Sequence, residues 1–160
     1  MKSKKNKKIM VARLSVISNS LLIAMKLIVG IISGSVSILS EAIHSSMDLV
    51  AAIIAFFAVR ISDTPPDSKH PYGHGKIENI SGVIEGILIL VAAVIIIVES
   101  IKKLLGGHSL PQAVGTGALV MVVSGIVNII VSRRLYKVAR ETGSLALEAD
   151  ALHLKTDVYT

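Results

Sequence analysis

Hydrophobic residues along this chain stand in long blocks rather than alternating with polar ones. Residues 86–98 carry no charged side chain, and residues 121–132 are nearly as apolar. A lipid-crossing helix needs about 20 mostly apolar residues, so blocks of this kind predict membrane-spanning helices. Glycine and proline separate the blocks and set the limits of the helices. The predicted helices cover residues 9–32, 37–61, 77–104 and 111–139, and a fifth begins near residue 144.

The predicted fold class is all-α: a polytopic membrane helical bundle with four complete spans and the start of a fifth. The visible part of the fifth helix reaches Thr160, and it is too short and too polar to cross a bilayer by itself. We therefore expect residues 9–160 to be an incomplete transmembrane domain, preceded by a basic tail at residues 1–8. A secretory signal peptide is not expected, because the first apolar stretch exceeds the usual apolar region of about 7–15 residues.

Composition adds little to the predicted fold, but the positions of the basic residues predict how the bundle is oriented in the membrane. Hydrophobic residues make up 52% of the chain, and the absence of cysteine excludes disulfides and thiolate metal sites. Basic residues cluster at residues 2–8, 60–76 and 133–140, whereas the opposite helix ends carry only Lys102 and Lys103. Because positive residues stay in the cytoplasm, we expect a cytoplasmic N-terminus and a prokaryotic plasma (inner) membrane. The net charge of +6 then reflects topology in a lipid bilayer, and no nucleic-acid partner is needed.

Two matching residue pairs stand in helices 2 and 5. His44 with Asp48, and His153 with Asp157, both read His-x-x-x-Asp. Residues four apart share a helix face, about 5–6 Å apart at Cβ, so each pair offers one nitrogen and one oxygen to a single ion. Two nitrogens and two oxygens in a tetrahedron suit zinc, whereas magnesium and calcium prefer oxygen ligands alone. An intramembrane carboxylate costs at least about 2.5–3.5 kcal/mol and needs a partner, and an ion pair with Lys26 is the alternative for Asp48.

A second cluster lies in the polar loop between helices 2 and 3. Asp67, His70 and His74 fall within eight residues, with glycine and proline available to bend the chain. Three protein ligands would hold one ion and leave a position open to water. The alternative is an ordinary hydrophilic loop, because aspartate and histidine are common there. Beyond the loop, Glu78 is expected to cap helix 3, and Glu85 to face the bundle interior or pair with a lysine.

These motifs together resemble the cation diffusion facilitator family of metal transporters. The resemblance covers essentially the whole chain and rests on GSVS at residues 34–37, HPYGHGKIE at residues 70–78, ALHLKTD at residues 151–157 and the pair His44/Asp48. It implies six membrane helices, a homodimer and a cytoplasmic C-terminal domain that is absent from this chain. It also implies a transport site at His44, Asp48, His153 and Asp157, with a lesser site at Asp67, His70 and His74. Many bacterial members have aspartate where this chain has His44, and histidine there resembles the zinc-preferring members.

The predicted function is efflux of a divalent metal cation by proton antiport. Zinc is the expected substrate, with cadmium, iron, manganese and cobalt as alternatives. Protons would act as counter-ions because metal binding requires neutral imidazole and ionised carboxylate. A membrane metal-binding or sensing protein without transport activity is the alternative function. An enzyme is not expected, because an intramembrane zinc protease needs a general-base glutamate, as in His-Glu-x-x-His, and the sequence has no such motif.

Overall fold

The computed structural model describes residues 2–106 and 114–159, and this part of the chain contains five α-helices and no strand. The helices are α1 (Lys2–Ser33), α2 (Val36–Ser62), α3 (Lys76–Leu105), α4 (Val114–Thr142) and α5 (Leu145–Tyr159). The first four are long and apolar enough to cross a membrane. With 15 residues, α5 extends only about 22 Å. The predicted all-α bundle, with four helices of spanning length and a fifth helix, is confirmed.

The ends of the helices lie within three residues of the predicted limits wherever the structure describes both, with one exception. Helix α1 begins at Lys2, so the basic residues at 2–8 form its first turns. Lysine is a good helix former and no glycine or proline interrupts this stretch, so the helix continues through it. The predicted start of helix 4 at Pro111 lies outside the described residues.

Consecutive helices run antiparallel, so α1, α3 and α5 begin at the end of the bundle where α2 and α4 finish. Lys7 on α1 pairs with Glu141 near the end of α4, and Lys8 pairs with Asp63 at the end of α2. We call this end of the bundle the Lys8 end. Around the bundle, α1 packs against α2 and α4, and α3 packs against α2 and α5. Helix α5 also contacts α2 and α4, which places it in the interior.

A compact apolar core lies near the Lys8 end. Leu135 of α4 and the α5 residues Leu147 and Leu154 are completely buried. The remaining core positions are small or β-branched residues that let the helices approach closely: Val11, Ala12, Ala58, Val59, Val131, Ala139, Ala146 and Ala151. This packing holds α5 in the bundle even though the helix carries several charged residues.

Two glycines with positive φ angles redirect the chain between helices. Gly34 (φ 64°) follows α1, and the Ser35 side chain then accepts a hydrogen bond from the Ile38 backbone N–H to cap α2. Gly143 (φ 69°) follows α4, with its N–H donating to the Ala139 carbonyl. Glycine enters this backbone region without the steric penalty that a Cβ atom brings. The second turn matters for the site, because it sets the direction of α5.

Large apolar side chains are exposed along all four long helices, including Ile31, Ile43, Leu90 and Leu119. An apolar surface this extensive is unfavourable in water. It is the expected outer surface of a helical bundle surrounded by lipid, where polar side chains turn inward.

Candidate metal centre

Three of the four predicted ligands, His44, Asp48 and Asp157, form one group inside the bundle, and His153 lies beside it. His153 Nε2 lies 3.2 Å from Asp48 Oδ1 and 4.0 Å from Asp157 Oδ2. His44, Asp48 and Asp157 each offer one ligand atom within 4.8 Å of those of the other two. The two His-x-x-x-Asp faces, separated by about a hundred residues in the chain, therefore surround one small volume.

This volume lies in the bundle interior. Asp48 is 4% exposed and His153 is 3% exposed, while His44 and Asp157 are half-buried. Lys155 stands between the two α5 ligands in the sequence, but it points outward and is exposed. Two residues turn an α-helix through about 200°, which accounts for its direction.

One ligand spacing in this cluster matches that of a tetrahedral cation site. Zinc bonds of about 2.0–2.1 Å in a tetrahedron place ligand atoms about 3.3 Å apart. His153 Nε2 and Asp48 Oδ1 already stand at 3.2 Å. The His153 Nδ1 atom is buried and has no hydrogen-bond partner among the described residues. The Nε2 atom is the nitrogen that faces the carboxylates of Asp48 and Asp157. His44, on the other helix, joins the same two carboxylates in the three-residue group.

Lys26 does not serve as the partner of Asp48. Its ammonium group is buried and donates to Glu41 Oε1 at 3.0 Å and to Ser45 Oγ at 2.6 Å. Within residues 2–106 and 114–159, no ion pair joins Lys26 to Asp48. Glu41 and Ser45 flank His44 in the sequence of α2, so the Lys26 bridge lies level with His44 along this helix.

The predicted loop cluster also converges. The Asp67 carboxylate accepts hydrogen bonds from the backbone N–H groups of Lys69 (2.8 Å) and His70 (2.6 Å), and it lies 3.5 Å from His74 Nε2. Ligand atoms of Asp67, His70 and His74 all fall within 4.8 Å of one another. The hydrogen bond from the His70 N–H holds the pKa of the Asp67 carboxyl below its usual value. The carboxylate is therefore ionised and available to a cation at neutral pH.

A buried ion cluster at the Lys8 end was not predicted. Lys8 Nζ donates to Asp63 Oδ1 at 2.8 Å and to Glu78 Oε1 at 3.0 Å. Glu78 also accepts hydrogen bonds from the hydroxyls of Ser62 (2.6 Å) and Ser144 (2.5 Å). The expectation that Glu78 caps α3 is wrong, because its carboxylate instead ties together α1, α2, α3 and the start of α5. No local motif marks this role, which depends on contacts up to 70 residues apart.

Two further acidic residues lie inside the bundle. Glu85 faces the interior as expected, but it accepts a hydrogen bond from Ser81 at 3.0 Å rather than pairing with a lysine. Asp150 on α5 is completely buried and is not part of the His-x-x-x-Asp motif. Its spacing of three residues from His153 and seven from Asp157 puts it on the ligand face of α5. That spacing is the signal in the sequence that could have identified it.

Comparison with known proteins decides the family. The model of the cation efflux transmembrane domain matches residues 12–160. The chain belongs to the cation efflux family. Its resemblance to the cation diffusion facilitators is thereby confirmed, and its four long apolar helices make it an integral membrane protein.

Curated relatives in the cation efflux family cover most of this chain. An uncharacterized transporter of Synechocystis is 40% identical over 129 residues, which are 81% of this chain and 41% of the relative. The manganese efflux system protein MneP of Bacillus subtilis is 34% identical over 92% of this chain and 49% of its own length. The cation-efflux pump FieF of Shewanella oneidensis is 32% identical over 92% of this chain and 50% of its own length. The chain spans about half the length of the curated relatives it matches.

Proposed function

We propose that this chain forms the membrane part of a secondary transporter that exports divalent metal cations. In this proposal His44, Asp48, His153 and Asp157 hold the ion in transit. The supporting observation is that His44, Asp48 and Asp157 group together in the interior of a bundle of apolar helices and that His153 contacts Asp48 there. Ionisable side chains are costly inside a membrane and mark ion pathways. Membership of the cation efflux family supports transport rather than an enzymatic reaction.

Zinc is the proposed substrate because two of the four ligands are imidazoles. Imidazole binds zinc well, and a mixed nitrogen–oxygen tetrahedron is a common zinc environment. The manganese efflux system protein MneP, at 34% identity, makes manganese the main competitor. Manganese favours oxygen ligands, so replacing His44 with aspartate is expected to shift preference from zinc toward manganese.

Protons are the proposed counter-ions. A metal ion needs neutral imidazoles and ionised carboxylates, and protons occupy the same ligand atoms when the metal leaves. A proton gradient directed into the cell would then expel the metal. The basic residues at the Lys8 end support a cytoplasmic location for this end, in a prokaryotic plasma membrane.

Two further assignments concern the loop between α2 and α3 and the oligomeric state. We assign Asp67, His70 and His74 to a second metal site in the loop, close to the Lys8 end. We also infer that the native gene product is a homodimer, and cross-linking in membranes tests this inference. The exposed apolar residues of α3, such as Leu90 and Leu104, offer a surface for lipid or for the second copy.

Zinc flux into vesicles is the direct test of the proposed site. The native gene product is reconstituted with an imposed proton gradient, and zinc uptake is followed with an enclosed fluorescent indicator. His153→Ala and Asp157→Ala are expected to abolish uptake. Lys155→Ala is the matched control, because Lys155 lies on the same helix but points outward, and its uptake should equal that of the native protein.

Two outcomes would count against the proposal. Near-normal uptake by His153→Ala or Asp157→Ala would remove His153 and Asp157 from the transport site. Zinc binding without uptake or counterflow in the native protein would favour a metal sensor, the alternative function.

A further inference from the structure

Glu85 and Asp150 form a pair of buried carboxylates on facing helices. Both side chains are completely buried. Helices α3 and α5 approach closely beside them, since a Cβ atom on Gly82 would lie 3.8 Å from the Ala149 Cβ atom. Asp150 and His153 both lie close enough to Glu85 to act on its carboxyl group electrostatically. The pair therefore lies beside the four-residue cluster without belonging to it.

Most of the oxygen atoms of this pair lack a donor. Ser81 Oγ donates to Glu85 Oε1 at 3.0 Å. Glu85 Oε2 and both oxygens of Asp150 are buried and have no hydrogen-bond partner among the described residues. The Ser15 hydroxyl of α1 lies near enough to act on the Asp150 carboxyl group, but no hydrogen bond joins them. Buried carboxylate oxygens are almost always satisfied by a donor or a cation, so these atoms call for a ligand.

The buried lysines of the bundle do not supply that cation. Lys8 pairs with Asp63 and Glu78, and Lys26 pairs with Glu41. In the described part of the chain, no lysine or arginine forms an ion pair with Glu85 or Asp150.

We propose that Glu85 and Asp150 form a second intramembrane site for a divalent cation, which we call the inner carboxylate site. The inference rests on the proposed function, because it makes the site a station on the path of the exported ion. Asp150 precedes His153 by three residues, about 4.5 Å along the axis of α5, and so lies nearer the Lys8 end. Glu85 follows Glu78 by seven residues, about 10 Å along α3. The inner carboxylate site therefore lies between the ion cluster at Lys8 and the four proposed transport ligands.

The ligand chemistry predicts a weaker and less selective site than the one at His153. Carboxylates and a hydroxyl provide oxygen ligands only, which suit manganese and magnesium as well as zinc, with water completing the shell. Such a site admits a hydrated ion from the Lys8 end and passes it to the imidazoles one helical turn further on.

Counting bound Mn²⁺ by electron paramagnetic resonance tests the inner carboxylate site. The probe is manganese chloride at millimolar concentration, added to the native gene product in lipid nanodiscs. Glu85→Gln keeps the side-chain shape and the Ser81 contact, and we expect it to lower the number of bound ions per chain by one. Asp150→Asn should have the same effect. Glu141→Gln is the matched control, because Glu141 is an exposed glutamate at the Lys8 end.

Asp157→Asn separates this inference from the proposed function. We expect it to remove a different ion, so that Glu85→Gln combined with Asp157→Asn loses two. If Glu85→Gln and Asp150→Asn both bind as many Mn²⁺ ions per chain as the native protein, and both keep native helix content by circular dichroism, the inner carboxylate site is overturned. The two carboxyl groups would then share a proton instead of a metal ion. An unchanged count in Asp157→Asn alone would count against the transport site instead.

Discussion

Replacing Lys8 should destabilise the bundle far more than replacing its neighbour Lys7. Lys8 is 8% exposed and its ammonium group contacts both Asp63 and Glu78. Lys7 makes a single 3.4 Å contact with Glu141, and both of those side chains are about half exposed. The variants Lys8→Met and Lys7→Met therefore remove the same charge from adjacent positions with different burial.

The contacts set the size of the expected difference. Removing one partner of a buried ion pair costs about 3–5 kcal/mol, because the other charge is left uncompensated. The cost at Lys8 should fall at the lower end, about 3 kcal/mol, since the Asp63 side chain is 27% exposed and a cleft of about 200 Å³ opens beside it. An exposed pair such as Lys7–Glu141 contributes about 0–1 kcal/mol.

Equilibrium unfolding in mixed detergent micelles, followed by circular dichroism, measures both variants. The double variant Lys8→Met/Glu78→Gln adds a second comparison, because it also removes the uncompensated carboxylate. We expect the double variant to recover part of the free energy of unfolding that Lys8→Met loses. A double-mutant cycle converts this recovery into a coupling energy between Lys8 and Glu78. Equal losses for Lys8→Met and Lys7→Met, within about 0.5 kcal/mol, would refute a buried role for Lys8.

Two further predictions concern a helix contact and the loop. Gly30→Ala would place a Cβ atom 2.8 Å from Leu39 Cδ2. We expect this contact to lower the free energy of unfolding by about 1–3 kcal/mol in the same assay, and adding Leu39→Ala should recover part of that loss. An equal loss with and without Leu39→Ala would count against this contact. Asp67→Asn should weaken metal binding by the loop in calorimetry. The pKa of Asp67 is lowered by the His70 N–H, so its carboxylate stays ionised until the pH falls below the usual value of about 3.9. The carboxylate is therefore ionised at pH 7, and an affinity at pH 7 that is unchanged in Asp67→Asn would contradict this account.

Helical periodicity explains what could be predicted from the sequence. The apolar blocks are long enough to predict four spans, and residues four apart must share a helix face. The sequence alone therefore places the two members of each His-x-x-x-Asp pair on the same side of their helix. That the two pairs face one another was an inference from ligand chemistry, and the 3.2 Å separation of His153 and Asp48 agrees with it.

Contacts between distant helices could not be predicted in the same way. The partners of a buried lysine depend on the order of helices around the bundle, and periodicity leaves that order open. Lys26 therefore pairs with Glu41 rather than Asp48, and Glu78 pairs with Lys8 rather than capping its own helix. Asp150 is different, because its spacing from His153 and Asp157 already placed it on the ligand face.

The most direct test is an anomalous difference map at the zinc absorption edge, from crystals of the native gene product grown with zinc. We predict a peak about 2.0–2.2 Å from nitrogen atoms of His44 and His153 and from carboxylate oxygens of Asp48 and Asp157. Strong zinc peaks elsewhere in the protein with none between these four side chains would contradict the account.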